Sequence, residues 1–94
     1  MNITLLHDDA GQRYNLYVDG QYAAYAEAWR SGRVADMSHT ETFPAFRGQG
    51  LAAKVVRFAL DDLAAKGVKV SPSCWFVAEF IAANPEYQPL IVTP

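Results

Sequence analysis

A short glycine-rich segment carries the clearest chemical signal in the sequence. It reads PAFRGQGLAAK over residues 44–54, with Gly48 and Gly50 just before an apolar, helix-like run. The start of a helix offers free backbone N–H groups and a positive dipole end, and glycines let a phosphate approach them closely. Arg47 adds a positive charge beside them. The segment therefore predicts either a phosphate-binding turn or an ordinary strand–helix connection.

Three other side chains could take part in acid–base or nucleophilic chemistry. His39 and Glu41 lie in a β-like run, which places them on one strand face about 7 Å apart. Such a pair could deprotonate an amine, or it could be a structural histidine beside a carboxylate that anchors the turn. Cys74 is the only cysteine and falls in the first turn of a predicted helix, where free amides favour a thiolate. A buried, unreactive thiol is the alternative.

Strands predicted in the first half of the chain have to position these residues. Two strand-like runs meet at Asp19-Gly20, a strong signal for a tight hairpin, and a third strand covers residues 34–43. Alternation defines three faces: Tyr14, Leu16 and Val18 on the first strand; Tyr22, Ala24 and Ala26 on the second; Ala35, Met37, His39, Glu41 and Phe43 on the third.

The second half of the chain predicts two helices around a short strand. An amphipathic helix covers about residues 51–66, with Gly67 as its C-terminal stop. After the strand Val68–Val70, Ser71-Pro72 suits the start of a second helix that ends at Asn84-Pro85, and the tail could add an extended piece. The predicted order is βββ-α-β-α, an α+β fold in which an antiparallel meander leads into a strand–helix–strand crossover.

Size and charge narrow the function classes. The chain has 94 residues, enough for one domain over residues 1–94, and 51% of them are hydrophobic. A net charge of −2 argues against a nucleic-acid-binding protein, which would carry a basic face. The sequence lacks an apolar run that could span a bilayer and begins without a secretion-signal pattern, so no membrane partner is expected. A single cysteine favours a reducing, cytoplasmic location.

Named phosphate motifs can be compared with the glycine segment. The P-loop pattern GxxxxGK[ST] is absent. The dinucleotide pattern GxGxxA fits Gly48, Gly50 and Ala53, but antiparallel strands precede it, the next strand lacks an acidic partner, and the chain is too short for that fold. The pattern [Q/R]-x-x-G-x-[G/A] fits residues 47–52 at a strand-to-helix turn that follows an antiparallel meander.

This last pattern resembles the acetyl-CoA pyrophosphate loop of the GNAT N-acetyltransferase superfamily. The resemblance covers about residues 36–91 and points to the very small single-domain members of that superfamily. The residues that carry it, in chain order, are His39-Thr40-Glu41, the GQGLA loop, Val70, Pro72, Cys74, Phe76-Val77, Pro85-Glu86-Tyr87 and Leu90-Ile91.

The resemblance implies an acetyl-CoA-dependent N-acetyltransferase acting on an amine of a small molecule or a protein, with no metal. The coenzyme A pyrophosphate would rest on the backbone amides of Arg47, Gly48, Gln49, Gly50, Leu51 and Ala52. The pantetheine arm would run between residues 37–43 and 68–71, which brings the thioester near His39, Glu41 and Cys74.

One departure from the superfamily concerns the proton for the leaving thiolate. Full-size members often use a tyrosine in the last helix, whereas this chain has Cys74 early in that helix and Tyr87 only beyond its end. Cys74 could act as the acid, carry the acetyl group or line the tunnel. We expect Trp29, Trp75, Tyr14 and Tyr17 to serve packing.

Two other interpretations remain open from the sequence. The chain could bind coenzyme A or a protein without catalysis, or it could be a structural domain whose glycine turn binds nothing. Monomer and dimer are both compatible with the sequence.

Overall fold

The part of the chain described by a computed structural model, residues 1–92, forms seven strands and two α-helices. The strands are β1 (Ile3–Asp8), β2 (Arg13–Val18), β3 (Gln21–Glu27), β4 (Trp29–Ser31), β5 (Val34–Asp36), β6 (Thr40–Thr42) and β7 (Lys69–Ser71). The helices are α1 (Leu51–Ala65) and α2 (Trp75–Ala83), and 3-10 turns cover Pro44–Phe46 and Pro85–Leu90. The α+β class and the meander before α1 are confirmed. Thr93 and Pro94, the end of the predicted tail, lie outside the described residues.

The strands form two neighbouring sheets. One is antiparallel with the order β1-β2-β3-β6, and the other has the order β4-β5-β7, in which β5 pairs antiparallel with β4 and parallel with β7. Only Ala28 separates β3 from β4, and only residues 37–39 separate β5 from β6. Strands β1 to β6 therefore form one meander that is divided between the two sheets, and the sheets part after the last parallel pair, Asp36 and Ser71.

The predicted third strand, residues 34–43, is in fact two strands. The N–H of Met37 donates to the carbonyl of Ser71 (3.0 Å), on the β7 side. The carbonyl of His39 accepts from the N–H of Glu27 (2.8 Å), on the β3 side. The chain thus changes its pairing partner within three residues, which side-chain alternation does not reveal. The edge strand β1 was also missing from the predicted order.

A β-bulge changes the face on which Tyr22 lies. The register between β2 and β3 skips Ala23, so Tyr22 lies opposite to the face of Ala24 and Ala26. Its hydroxyl donates to Asn15 Oδ1 on that outer face (2.7 Å). The prediction that Tyr22 shares a face with these two alanines is wrong, because it assumed an unbroken ladder.

Helix α1 packs its apolar side on the inner face of the four-stranded sheet. Its buried residues are Leu51, Val55, Val56, Ala59, Leu60 and Leu63. The helix ends as predicted at Gly67 (φ +70°). There the N–H of Val68 donates to the carbonyl of Leu63 (2.9 Å) and the N–H of Gly67 to that of Ala64 (3.1 Å), which is a Schellman cap.

Helix α2 begins later than predicted. Ser71 belongs to β7, and Cys74, in an extended conformation, is the residue before the first helical turn. The expected cap at Ser71 and helix start at Pro72 are therefore wrong. Among residues 1–92, neither helix is long and apolar enough to cross a membrane.

A buried tyrosine ties β2 to α1. Tyr14 is fully buried, and its hydroxyl donates to Oδ2 of Asp62 (2.5 Å), which also accepts from Lys66 Nζ (2.7 Å). Burial alone would raise the pKa of Asp62, but the hydrogen bonds from Lys66 and Tyr14 outweigh it and hold the pKa below its ordinary value of 3.8. Burial, followed by the Asp62 bond, raises the pKa of Tyr14, so its hydroxyl remains a donor.

Tyr14→Phe should lower the free energy of unfolding by about 1–2 kcal/mol at neutral pH, because it removes a charge-assisted hydrogen bond. The lowered pKa of Asp62 means that this stabilisation is present above pH 3.8 and is lost as the pH falls through the folded-state value. Urea unfolding of both proteins on either side of that pH measures the change. Tyr17→Phe is the control, since Tyr17 packs on Tyr22 on the outer face. Equal losses in the two variants would refute the assignment.

Candidate functional site

The parting of the two sheets opens a cavity of about 340 Å³, called the sheet cleft below. It is lined by Ser38, His39, Thr40, Thr42, Ala52, Ser73, Cys74, Trp75 and Phe76. Strand β6 forms one wall, residues 73–76 form the other, and the first turn of α1 stands at the end beside the glycine turn. The prediction that the gap lies between residues 37–43 and 68–71 is wrong for its second wall, because β7 stays paired with β5 as far as Ser71. Residues 73–76 form that wall instead.

Strand β6 presents a free edge to the sheet cleft. The carbonyl of His39 and the N–H of Phe43 both bond to β3 (2.8 and 2.9 Å). In an antiparallel ladder the residues between such pairs direct their backbone groups to the other side. The N–H and carbonyl of Thr40 therefore face the cleft, where an extended ligand with amide groups can pair with them as a strand would.

The glycine turn supplies amides at one end of the cleft. Gly48 (φ +83°) and Gly50 (φ +71°) adopt the left-handed backbone that favours glycine, and no atom lies within 4 Å of a Cβ placed on either. Within the described chain, the N–H groups of residues 48–53 donate to no protein acceptor, and no side chain caps α1. This cradle fits a pyrophosphate, because the donors are free and stand at a positive helix end.

Arg47 is directed back to β6. Its Nε donates to the carbonyl of Thr42 (3.1 Å), and its guanidinium lies 3.4 Å from the Glu41 carboxylate. Its backbone N–H donates to Pro44 (3.4 Å). Six amides were predicted to hold the pyrophosphate. The amide of Arg47 already donates to a protein carbonyl, whereas those of residues 48–52 remain available to a ligand.

His39 and Glu41 share a strand face as predicted. His39 Nε2 lies 3.3 Å from Glu41 Oε1. Their face is the outer one, since the His39 ring lies 6.0 Å from that of Tyr25. Thr40 and Thr42 project to the opposite side, toward α1. His39 contributes to the cleft lining, whereas Glu41 does not.

Cys74 lies across the sheet cleft from β6. It is a partly buried free thiol whose Sγ lies 3.8 Å from Thr40 Oγ1. Its N–H donates to the carbonyl of Met37 (2.9 Å), which fixes its backbone at the point where the sheets part. The three predicted catalytic residues therefore form two groups, with Cys74 beside Thr40 and His39 beside Glu41. Thr40 was not singled out in the sequence, although the alternation that pairs His39 with Glu41 leaves it on the other face.

Both helices begin at the sheet cleft. Ala52 of α1 and Trp75 and Phe76 of α2 line it, and α2 has no side-chain cap at Cys74. Helix starts carry partial positive charge. The cleft thus offers a favourable site for an anionic ligand in a protein whose net charge is −2.

Tyr87, the tyrosine beyond the last helix, lies away from the cleft lining. It is 6% exposed, and its hydroxyl donates to Asp61 Oδ1 (2.7 Å) and accepts from Arg57 Nη1 (3.0 Å). Burial, followed by the Asp61 bond, raises the pKa of Tyr87. It closes the core between α1 and the C-terminal segment.

The two tryptophans do not serve packing as expected. Trp29 is 52% exposed and Trp75 is 71% exposed, whereas Tyr14 is fully buried. Trp75 stands at the mouth of the sheet cleft. Alternation and helix periodicity could not show this, since both tryptophans lie where one element ends and the next begins.

Several known proteins are similar to this chain in sequence or in fold. Residues 13–90 match the family model described as GCN5-related N-acetyl-transferase. Protein NATD1 of Mus musculus and of Homo sapiens are each 27% identical to this chain over 85 residues, covering 88% of it and 77% and 75% of those proteins.

Two solved structures resemble the chain. A GCN5-like protein from Staphylococcus aureus has a TM-score of 0.72 at 16% identity, covering 99% of this chain and 91% of that one, which shows the fold. A GNAT-family protein from Novosphingobium aromaticivorans has a TM-score of 0.53 and is 37% identical. The match covers 62% of this chain and 27% of the Novosphingobium protein. With the family model matching most of its residues, this chain belongs to the GCN5-related N-acetyltransferase family.

Proposed function

We propose that this protein transfers an acetyl group from acetyl-CoA to an amine. The observation that carries the proposal is the sheet cleft, which leads from the free amides of the glycine turn to the thiol of Cys74 between an open strand edge and a helix start. Membership of the GCN5-related N-acetyltransferase family supports the same chemistry.

The chain offers one binding element for each part of acetyl-CoA. The amides of residues 48–52 would hold the pyrophosphate, and the free edge at Thr40 would pair with the amides of the pantetheine arm. When bound, acetyl-CoA supplies a thioester whose acetyl group an amine can accept. Cys74 and Thr40, which lie beside each other in the cleft, would be the side chains nearest to that thioester.

The reaction needs a neutral amine and a stabilised thiolate. The His39–Glu41 pair is the candidate base, reached through water because it lies on the outer face of β6. Cys74 is the candidate acid, and the free first-turn amides of α2 face the same point. This arrangement uses no tyrosine of the last helix. Tyr87, beyond that helix, donates its hydroxyl proton to Asp61 of α1.

Gly50→Ala should weaken acetyl-CoA binding about tenfold, because a Cβ would enter the space above the turn amides and strain a left-handed residue. Gly20→Ala is the matched control. Gly20 has a similar φ (+82°) and equally open surroundings, but it lies in the β2–β3 hairpin. Calorimetry with acetyl-CoA should therefore separate two variants that lose similar stability. Absence of binding to folded wild-type protein at millimolar acetyl-CoA would sink the proposal.

Cys74→Ala should lower kcat about 100-fold for any amine that is turned over, while acetyl-CoA affinity stays close to that of the wild type. Glu41→Gln and His39→Ala should shift the pH dependence of kcat as well, since they alter the candidate base. Steady-state kinetics with an amine panel measures both effects. If the three variants turn over like the wild type, the protein is an enzyme that uses other residues. Intact mass after incubation with acetyl-CoA reports any acetyl group on Cys74.

A coenzyme A-binding module without catalysis is the second candidate. It is favoured by the separation of Cys74 from the His39–Glu41 pair and by the engagement of Tyr87 with Asp61. This candidate gains support if acetyl-CoA binds in the calorimeter and no amine of the panel is acetylated.

A further inference from the structure

The edge strand β1 carries an unused row of backbone groups. The N–H of Asp19 donates to the carbonyl of Asn2 (2.8 Å), so this pair opens the ladder between β1 and β2. In an antiparallel ladder, residues bonded to the neighbouring strand alternate with residues whose N–H and carbonyl point away from it. The residues of the second kind are Ile3, Leu5 and His7, whose backbone groups bond to nothing within residues 1–92.

A groove runs beside this edge, on the side of α1. It has a volume of about 460 Å³, and its apolar surface comes from Ile3, Leu5 and Phe58, which are all partly buried. A strand added to β1 would direct every second side chain into this groove, because the pleat of an added strand follows that of its neighbour. The other lining residues are the charged Lys54, Arg57 and Asp61.

Helix α1 runs alongside β1 in the same direction. His7 Nδ1 lies 3.8 Å from the Asp62 carboxylate, which places the C-terminal half of the helix beside the end of the strand. Lys54 precedes Asp62 by about 12 Å along the helix, and Ile3 precedes His7 by about 13 Å along the strand. Lys54 and Ile3 therefore lie at the same end of the groove, which both of them line.

Lys54 is the free cation at this end. It is exposed, and its ammonium group has no partner within residues 1–92. In contrast, Arg57 lies 3.6 Å from Glu86, and Asp61 accepts a hydrogen bond from Tyr87 (2.7 Å). A strand that pairs antiparallel with β1 has its C-terminal part near the start of β1, and hence near the lysine. An acidic side chain there gains a charge-assisted contact, whereas a basic one is repelled.

We propose that the groove between β1 and α1 binds an extended, acidic segment of a partner protein. The segment pairs antiparallel with β1, inserts alternate apolar side chains beside Leu5 and Phe58, and places an acidic residue at Lys54. Backbone hydrogen bonds then supply affinity, and the groove selects the side chains. Strands β1 and β6 are opposite edges of their sheet, so this segment binds apart from the sheet cleft and the inference does not depend on acetyl transfer.

A second copy of the chain suits this groove less well than such a segment. If two β1 strands paired so that all their free backbone groups were used, Ile3 would lie opposite His7 of the second copy. An imidazole, instead of a carboxylate, would then reach Lys54. The charge at this end of the groove therefore favours the acidic segment.

The test uses the full chain, labelled with 15N, and the peptide acetyl-TVTVTE-amide, whose valines and glutamate share one strand face. We expect it to shift the amide signals of residues 3–7 with a dissociation constant of about 1 mM or tighter, while those of residues 39–43 stay unchanged. The peptide acetyl-TVTVTR-amide should bind about threefold more weakly, and Lys54→Glu should reverse that order. No shift of residues 3–7 at about 10 mM peptide would overturn the proposal.

Two singly N-methylated forms of acetyl-TVTVTE-amide test the pairing itself. In the proposed register the valine N–H groups point to β1, whereas the threonine N–H groups point to solvent. N-methylation of the second valine should weaken binding about tenfold, because a backbone hydrogen bond is lost and a methyl group enters the ladder. N-methylation of the threonine between the valines is the matched control and should change binding by less than about twofold. Equal losses would refute strand addition.

Two variants with the same substitution test the groove. Leu5 lines it, whereas the neighbouring Leu6 is 52% exposed and lies on the other face of β1. Leu5→Asn should weaken binding of acetyl-TVTVTE-amide severalfold, and Leu6→Asn should bind like the wild type. Equal affinities in the two variants would contradict the assignment. If dilution of the free protein moves the signals of residues 3–7, the edge is occupied by a second copy, and the proposal of a partner segment is overturned.

Discussion

The backbone of Met37 fixes where the two sheets part. Its N–H donates to Ser71 at the end of β7 and its carbonyl accepts from Cys74, so it forms the last two backbone links between the chain after β5 and residues 71–74. The next donor of the ladder would be the N–H of Ser73, but it donates to the carbonyl of Ser71 instead (3.0 Å), so the regular pairing ends here. The side chain of Met37 is fully buried, which holds this junction in the core. Beyond it the chain returns to β3, and the space between the walls becomes the sheet cleft.

This junction explains why so short a chain can carry a site at all. The core closes around Ala35 and Val70, which are fully buried just before the sheets part. A cavity placed within that core would cost stability that a small domain cannot spare. By ending a ladder instead, the fold obtains an open strand edge, two helix starts and a glycine turn around one cleft, while its apolar residues remain packed.

Local signals allowed much of the fold to be predicted from the sequence. Asp19-Gly20 forms the hairpin, Gly67 ends α1, and Gly48 and Gly50 adopt the left-handed backbone that makes the turn. Each of these positions depends on a conformation that glycine favours, so the residue type itself carries the information. The α+β class follows from the order of such signals along the chain.

What the sequence could not show depends on contacts between distant segments. The change of partner at residues 37–39 is set by a hydrogen bond to Ser71, and it separates Cys74 from the His39–Glu41 pair. Ser71 and Pro72 are residue types that favour a helix start, but in the folded chain they stand where β7 ends. The hydrogen bond from Ser38 to Glu27 spans 11 positions of the sequence, and the one from Ser73 to Asp36 spans 37, so no local pattern could predict either.

The contact between Arg47 and Thr42 has a consequence for self-association. An exposed strand edge is a template on which another chain can add, and the free edge of β6 is of that kind. The strand is only three residues long, and the Arg47 side chain occupies the carbonyl at its end and pairs with Glu41. A flat, uncharged edge would invite pairing between copies and the growth of aggregates. The same arginine that lies beside the glycine turn therefore covers one end of this edge with a charged side chain, which disfavours pairing with another strand and leaves the backbone groups of Thr40 uncovered.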